Sequence, residues 1–76
     1  MKSKIEFYTI EKVIEFRKKA NNMSIRYFAD CLNVSHTFII EIEKQETNAA
    51  YNLDHLNEIA KILKCSPRDF LPEKPL

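Results

Sequence analysis

The chain of 76 residues contains no glycine, only two cysteines and no long apolar run. Without glycine, each turn must be made by Asn, Pro, Ser or Lys, and no glycine-rich loop is available to cradle a phosphate. Cys31 and Cys65 lie far apart with no C-x-x-C pairing, which argues against a zinc site and fits a reducing, intracellular setting. No apolar run approaches the roughly 20 residues of a membrane span, and no signal-peptide pattern is present. We therefore expect a cytoplasmic protein without membrane, metal or cofactor.

The chain has little net charge, but its charges are unevenly distributed. The formal net charge is only +1, so composition alone does not indicate a nucleic-acid partner. Residues 1–26 nevertheless hold seven Lys or Arg against three Glu. Two interpretations stay open: a patch that faces phosphates, or a solvated helix end whose cations favour the C-terminal helix dipole.

Apolar spacing predicts an all-α domain of five helices around one small core, near the lower size limit for folding without metals or disulfides. Thr9 is expected to cap helix 1, which runs to about Ala20. Later helices are predicted from about Ser24 to Leu32, from His36 to about Lys44, after the cap Asn52, and after the cap Ser66. The domain proper is placed at 9–71, between an arm (1–8) and a tail (72–76). Ile5 and Phe7 of the arm either pack on the core or pair with a second subunit.

The block from Ile25 to Lys44 predicts two short helices that meet at an angle. Its apolar stripes change phase near Asn33, a residue type that tolerates a left-handed backbone after a helix. Ser35 is placed to cap the second helix, and the small Ala29 lets the two helices approach. These features are typical of a helix-turn-helix, whose remaining structural positions are Phe28, Leu32, Val34, Ile39 and Ile42.

With these helices placed, the residues from Ile10 to Leu71 resemble the phage-repressor-like, XRE-type helix-turn-helix family. The sequence has S-I-R-Y-F-A for the family's S-Q-x-x-L-A, V-S-H-T-F-I-I-E-I-E for V-S-x-x-x-I-S-x-I-E, and L-x-x-I-A-K-I-L-K-C-S at the joint between helices 4 and 5. The resemblance implies a five-helix domain whose third helix enters the major groove of double-stranded DNA, as a homodimer on neighbouring half-sites. It also implies a buried pair between Glu43 and helix 1, for which Arg17 is favoured over Lys18.

Two departures from the family reduce the expected phosphate contacts. Ile25 stands where the family often has a Gln that reaches phosphate. The loop after helix 3 reads Q-E-T-N over 45–48, where the family often has Gly and Lys or Arg.

The outward face of helix 3 supplies candidate base contacts. Each residue of an α-helix is rotated by 100° about the helix axis relative to the one before it. If Ile39 points to the core, then Thr37, Glu41 and Lys44 lie on the opposite side of helix 3. The predicted base contacts are His36, Thr37, Ile40, Glu41 and Lys44. The predicted backbone contacts are Ser24, Arg26, Ser35, Lys18 and Lys19.

Three apolar side chains, Ile25, Phe38 and Ile40, lie on or near the face expected to meet DNA, and exposed apolar surface usually marks a protein interface. Phe38 either packs as a satellite of the core, contacts DNA or contacts a protein. The leading interpretation is a sequence-specific, homodimeric transcriptional regulator. The alternative is a protein-interaction module, such as an antitoxin or regulatory partner, that binds through these three residues. No catalytic constellation supports an enzyme.

Overall fold

The structure, a computed structural model, describes residues 1–76 and is all-helical. Its elements are α1 (Lys4–Lys19), α2 (Ile25–Leu32), α3 (His36–Glu43), α4 (Leu53–Leu63) and a 3-10 turn (Pro67–Phe70). The all-α prediction is confirmed, but the predicted fifth helix is only this four-residue turn. Ser66 and Asp69 form its capping box as expected. Pro67 is favourable at the first helical position, but Pro72 disfavours a helical backbone at Leu71, which is extended, so the segment ends after one turn.

Helix α1 begins at Lys4, and its cap Ser3 lies six residues before the predicted cap Thr9. Ser3 Oγ accepts a hydrogen bond from the Glu6 amide, and the Glu6 carboxylate accepts one from the Ser3 amide. This reciprocal capping box satisfies two amides that would otherwise be unpaired at the helix start. Thr9 is instead buried inside the helix. The prediction of an arm over residues 1–8 is therefore wrong for residues 4–8, which form the first turns of α1.

The turns are made without glycine. Four residues have a left-handed backbone, namely Asn21, Asn22, Asn33 and Lys64, with φ of 60°, 54°, 61° and 57°. Three of the four are asparagine, the non-glycine residue that adopts this conformation most readily. Asn33 ends α2 and turns the chain directly into the Ser35 cap of α3, as the sequence predicted.

All five elements contribute to one core. Its buried residues are Val13, Phe28, Ala29, Ile39, Leu56, Ile59, Ala60 and Phe70. Among the predicted helix-turn-helix positions, Ile42 is also buried, while Leu32 and Val34 are half-buried against this cluster. The core therefore holds α3 by its inner face and leaves its outer face open to solvent.

Candidate nucleic-acid interface

Helices α2 and α3 both begin at an exposed serine. Ser24 Oγ accepts from the Tyr27 amide and Ser35 Oγ accepts from the Phe38 amide, each at 3.1 Å. Each hydroxyl acts only as an acceptor in its cap, so its own proton stays available for donation. Two helix N-termini with free amides and a hydroxyl donor are suited to bind anionic oxygens.

The predicted base contacts share the outer face of α3. Thr37 and Lys44 are exposed, and His36, Ile40 and Glu41 are partly exposed. Lys44 Nζ lies 3.3 Å from Glu41 Oε1, with side-chain exposures of 47% and 43%. A pair this exposed contributes about 0–1 kcal/mol, so either partner is readily released to a ligand. The face thus offers donors, acceptors and an aliphatic group with little net charge.

The predicted phosphate-binding cations lie beside the start of α2. Lys18 and Lys19 are exposed in the last turn of α1, and Arg26 is exposed in the first turn of α2. None of the chain's four ion pairs involves these three residues. Their charges are therefore not neutralised within the protein.

A buried ion pair fixes the C-terminal end of α3 against α1. Arg17 Nη2 lies 3.3 Å and 3.4 Å from the two Glu43 carboxylate oxygens, and Nη1 donates to the Met23 carbonyl at 2.7 Å. Burial raises the pKa of the Glu43 carboxyl above its ordinary value, although the Arg17 guanidinium opposes this shift. The pair expected from the family resemblance therefore forms with Arg17, which also ties down the turn between α1 and α2.

The Tyr51 phenol extends this polar cluster. Its hydroxyl is buried without a hydrogen-bond partner, as is Arg17 Nε. Burial raises the pKa of Tyr51, and the nearby Glu43 carboxylate raises it further. The phenol is therefore neutral, and its hydroxyl lowers the stability of the cluster rather than adding to it.

A second cation, missed by the sequence analysis, lies at the same end of α3. Lys2 is only 5% exposed. Its Nζ donates to the Lys44 carbonyl, to the Thr47 carbonyl at 2.9 Å and to Thr47 Oγ1 at 2.8 Å. No sequence signal could have found it, because its acceptors are mostly backbone oxygens, 42 to 45 residues away.

The apolar residues proposed for a protein partner do not form a contiguous exposed patch. Ile25 and Phe38 are half-buried and pack against the core cluster. The Phe38 ring also contacts His55 edge-on, with centroids 5.3 Å apart. This leaves Ile40 as a partly exposed apolar side chain on the outer face of α3. Phe38 is thus a satellite of the core.

The family model of the Cro/C1-type HTH DNA-binding domain matches residues 17–72, which include α2, α3, α4 and the 3-10 turn. The chain belongs to this family. The resemblance drawn from its motifs is confirmed, and the protein is a DNA-binding regulator of a non-enzymatic family. Comparisons with curated proteins and with solved structures gave no significant match.

Two further structural findings concern membranes and metals. None of the helices combines the length and apolar character needed to span a bilayer. No three His, Cys, Asp or Glu side chains come together as a metal-binding group.

Proposed function

We propose that this Cro/C1-type protein is a sequence-specific transcriptional regulator that inserts α3 into the major groove of DNA. The observation that supports this most directly is the outer face of α3, which the core leaves open. His36 and Thr37 would hydrogen-bond base edges, and Ile40 would contact a thymine methyl group. Glu41 would accept from a cytosine amino group, and Lys44 would donate to guanine or phosphate once its exposed pair opens.

The backbone contacts come from two helix starts and three cations. The amides and hydroxyls at Ser24 and Ser35 would bind phosphates on either side of the groove. Lys18, Lys19 and Arg26, which have no ion-pair partner within the chain, would add charge contacts near the start of α2. These contacts set the orientation of α3, while the bases are read by its outer face.

The test is selection from random duplexes, followed by anisotropy titration of the enriched duplex at several salt concentrations. The triple variant Lys18→Ala, Lys19→Ala, Arg26→Ala should bind weakly, and its plot of log affinity against log salt should flatten by roughly 2 to 3 units for each DNA-bound subunit, about 0.9 per phosphate contact. The charge-matched control, Lys61→Ala, Arg68→Ala, Lys74→Ala, changes exposed cations outside the proposed surface and should bind nearly as wild type does. Failure of the wild-type protein to enrich any sequence would refute the proposal.

A homodimer is part of the same proposal, because one module of this size buries too little surface for high specific affinity. The candidate surface is an apolar groove lined by Ile5, Glu6, Thr9, Tyr51, Leu53, Leu56 and Leu71. Leu53 is 76% exposed and Ile5 46% exposed, although both are large and apolar. The groove includes Ile5, one of the two residues that the sequence analysis considered for pairing with a second subunit.

A second copy of this chain is the occupant that fits the groove best. Charged residues of both signs adjoin its lining in sequence, since Lys4 and Glu6 flank Ile5 and Asp54 follows Leu53. Of these three, Glu6 lines the groove itself. A two-fold interface pairs the same patch with itself, and such a mixed rim is able to complement itself. No residue of α2 or α3 lines the groove, so dimerisation there leaves the proposed DNA-binding face free.

Sedimentation of Leu53→Asp tests this surface, since a charge placed in a self-associating apolar patch should shift the protein to monomer and weaken operator binding. Tyr27→Asp is the control for sedimentation, because Tyr27 is 59% exposed and lies outside the groove. A Leu53→Asp protein that stays dimeric would exclude this surface. A wild-type protein that is monomeric both free and on its operator would exclude the dimer itself.

A further inference from the structure

The Lys2 side chain makes a contact that its position in the sequence would not suggest. A lysine near a chain end is ordinarily solvated, yet Lys2 is 5% exposed. Its ammonium group has three proton donors, and three oxygens accept from it, two carbonyls and one hydroxyl. The buried charge is therefore fully satisfied by hydrogen bonds, which is the condition for its being tolerated.

The acceptors of Lys2 belong to the C-terminal end of α3 and the loop that follows. Lys44 is the C-cap of α3, so its carbonyl lies at the negative end of the helix dipole, where a cation is favoured. Thr47 Oγ1, which accepts from Lys2, donates in turn to the Glu41 carbonyl at 2.6 Å. The chain of hydrogen bonds therefore runs from Lys2 through Thr47 into the last turn of α3.

No carboxylate pairs with Lys2 in any of the four ion pairs. Its contacts are to neutral oxygens whose positions depend on the backbone of the loop. If the ammonium is removed, the Lys44 and Thr47 carbonyls lose their donor, and the bond from the Met1 amine to Asn48 Oδ1 is the hydrogen bond that still joins the loop to the segment before α1. The contact thus constrains backbone geometry rather than balancing charge.

We propose that Lys2 is a positioning residue for DNA recognition, which holds the end of α3 and the loop 44–48 in the orientation that reads base edges. This inference rests on the proposed function, since it assumes that α3 enters the major groove. Glu41 and Lys44, two of the proposed base contacts, are the residues whose carbonyls this network holds. Lys2 also lies before residues 17–72, which the family model matches. The proposed role of Lys2 is therefore not one that the matched domain implies.

The experiment compares three variants on the selected operator and on an unrelated duplex, at a temperature where circular dichroism shows each protein fully folded. Lys2→Met keeps the aliphatic stem and removes the ammonium, whereas Lys2→Arg keeps a charge. Lys61→Met is the matched control, because Lys61 is exposed, lies outside the groove and the proposed DNA-binding face, and its loss changes the net charge equally. Hydrogen exchange of the amides in 44–48 is measured on the same proteins.

Lys2→Met should weaken operator binding about tenfold, the order of one lost base contact. Binding to the unrelated duplex and the salt dependence should not change, because Lys2 touches no phosphate. Amides of the loop 44–48 should exchange faster, Lys2→Arg should recover part of the affinity, and Lys61→Met should resemble wild type.

Three results would count against the proposal. Operator affinity equal to wild type in folded Lys2→Met would show that the contact serves stability alone. A fall of about one unit in the salt slope would show that Lys2 binds phosphate itself. A wild-type protein that selects no DNA would refute both the proposed function and this inference. If the wild type selects an operator and only the Lys2 prediction fails, the inference is refuted and the proposed function stands.

Discussion

The Arg17–Glu43 pair provides the sharpest prediction about stability. The side chains are 8% and 15% exposed, so removing one partner leaves a largely buried charge. Breaking such a pair from one side typically costs about 3–5 kcal/mol. The unfolding free energy of a 76-residue domain is about 4–11 kcal/mol at ordinary values per residue. Loss of either partner should therefore remove a large share of the total stability.

The geometry predicts that the two single substitutions are unequal. The contacts to Glu43 are long, at 3.3 Å and 3.4 Å, and come from one guanidinium nitrogen. The bond to the Met23 carbonyl is short, at 2.7 Å. Arg17→Met breaks both interactions, so we expect a loss of about 3–4 kcal/mol. Glu43→Leu leaves Arg17 bound to the carbonyl, so we expect about 2–3 kcal/mol.

The assay is urea unfolding of wild type, both single variants and the double variant, with free energies from linear extrapolation. The double variant should lose about 3 kcal/mol, since no unpaired charge remains and the main cost is the Met23 bond. The coupling energy, the sum of the two single losses minus the loss in the double variant, is then about 2–4 kcal/mol. A coupling below about 0.5 kcal/mol, or a larger loss for Glu43→Leu than for Arg17→Met, would refute this account of the pair.

Three further predictions concern single groups. Burial raises the pKa of Glu43 in the folded state above its ordinary value of 4.5. Protonation of Glu43 therefore stabilises the folded state, and this contribution is complete below pH 4.5 and is lost as the pH rises through the folded-state pKa. NMR titration should show this raised value, and a pKa below the ordinary one would contradict it. Asn33→Ala should lower the free energy of unfolding in urea by about 1–2 kcal/mol, because φ at this position is 61° and Ala disfavours the left-handed backbone. Asn33→Gly should leave it nearly unchanged. An Ala variant as stable as wild type would show that the left-handed backbone at residue 33 costs Ala nothing. Tyr51→Phe removes a buried hydroxyl without a partner and should raise stability by about 1 kcal/mol; a loss in thermal unfolding would mean that the hydroxyl is hydrogen-bonded.

Features governed by neighbouring residues were predictable from the sequence. The left-handed Asn33, the Ser35 cap and the Asn52 cap all depend on side chains within three residues of the backbone they bind. The start of α1 belongs to the same class, and its capping box at Ser3 and Glu6 is a sequence signature. It was missed because Thr9 was taken as the cap of helix 1 and residues 1–8 were assigned to an arm.

Features that depend on distant backbone atoms could not be predicted in the same way. The Arg17–Glu43 pair was expected only because the family resemblance implies it. The Lys2 network has neither a charged partner nor a family precedent within the matched residues. Hydrogen bonds to carbonyls leave no trace in the identity of the acceptor residue, since every residue carries that group.

Arg17 and Lys2 together suggest why α1 matters to recognition, although it does not belong to the helix-turn-helix. Arg17 lies in the last turn of α1 and Lys2 lies just before its first turn, about 20 Å of helix apart. Both cations nevertheless bind the C-terminal end of α3, at Glu43 and at the Lys44 carbonyl. An element held at two points is constrained in direction as well as position. In the proposed complex, the weakly charged outer face of α3 would discriminate among sequences by hydrogen-bond geometry, and this double attachment would fix that geometry.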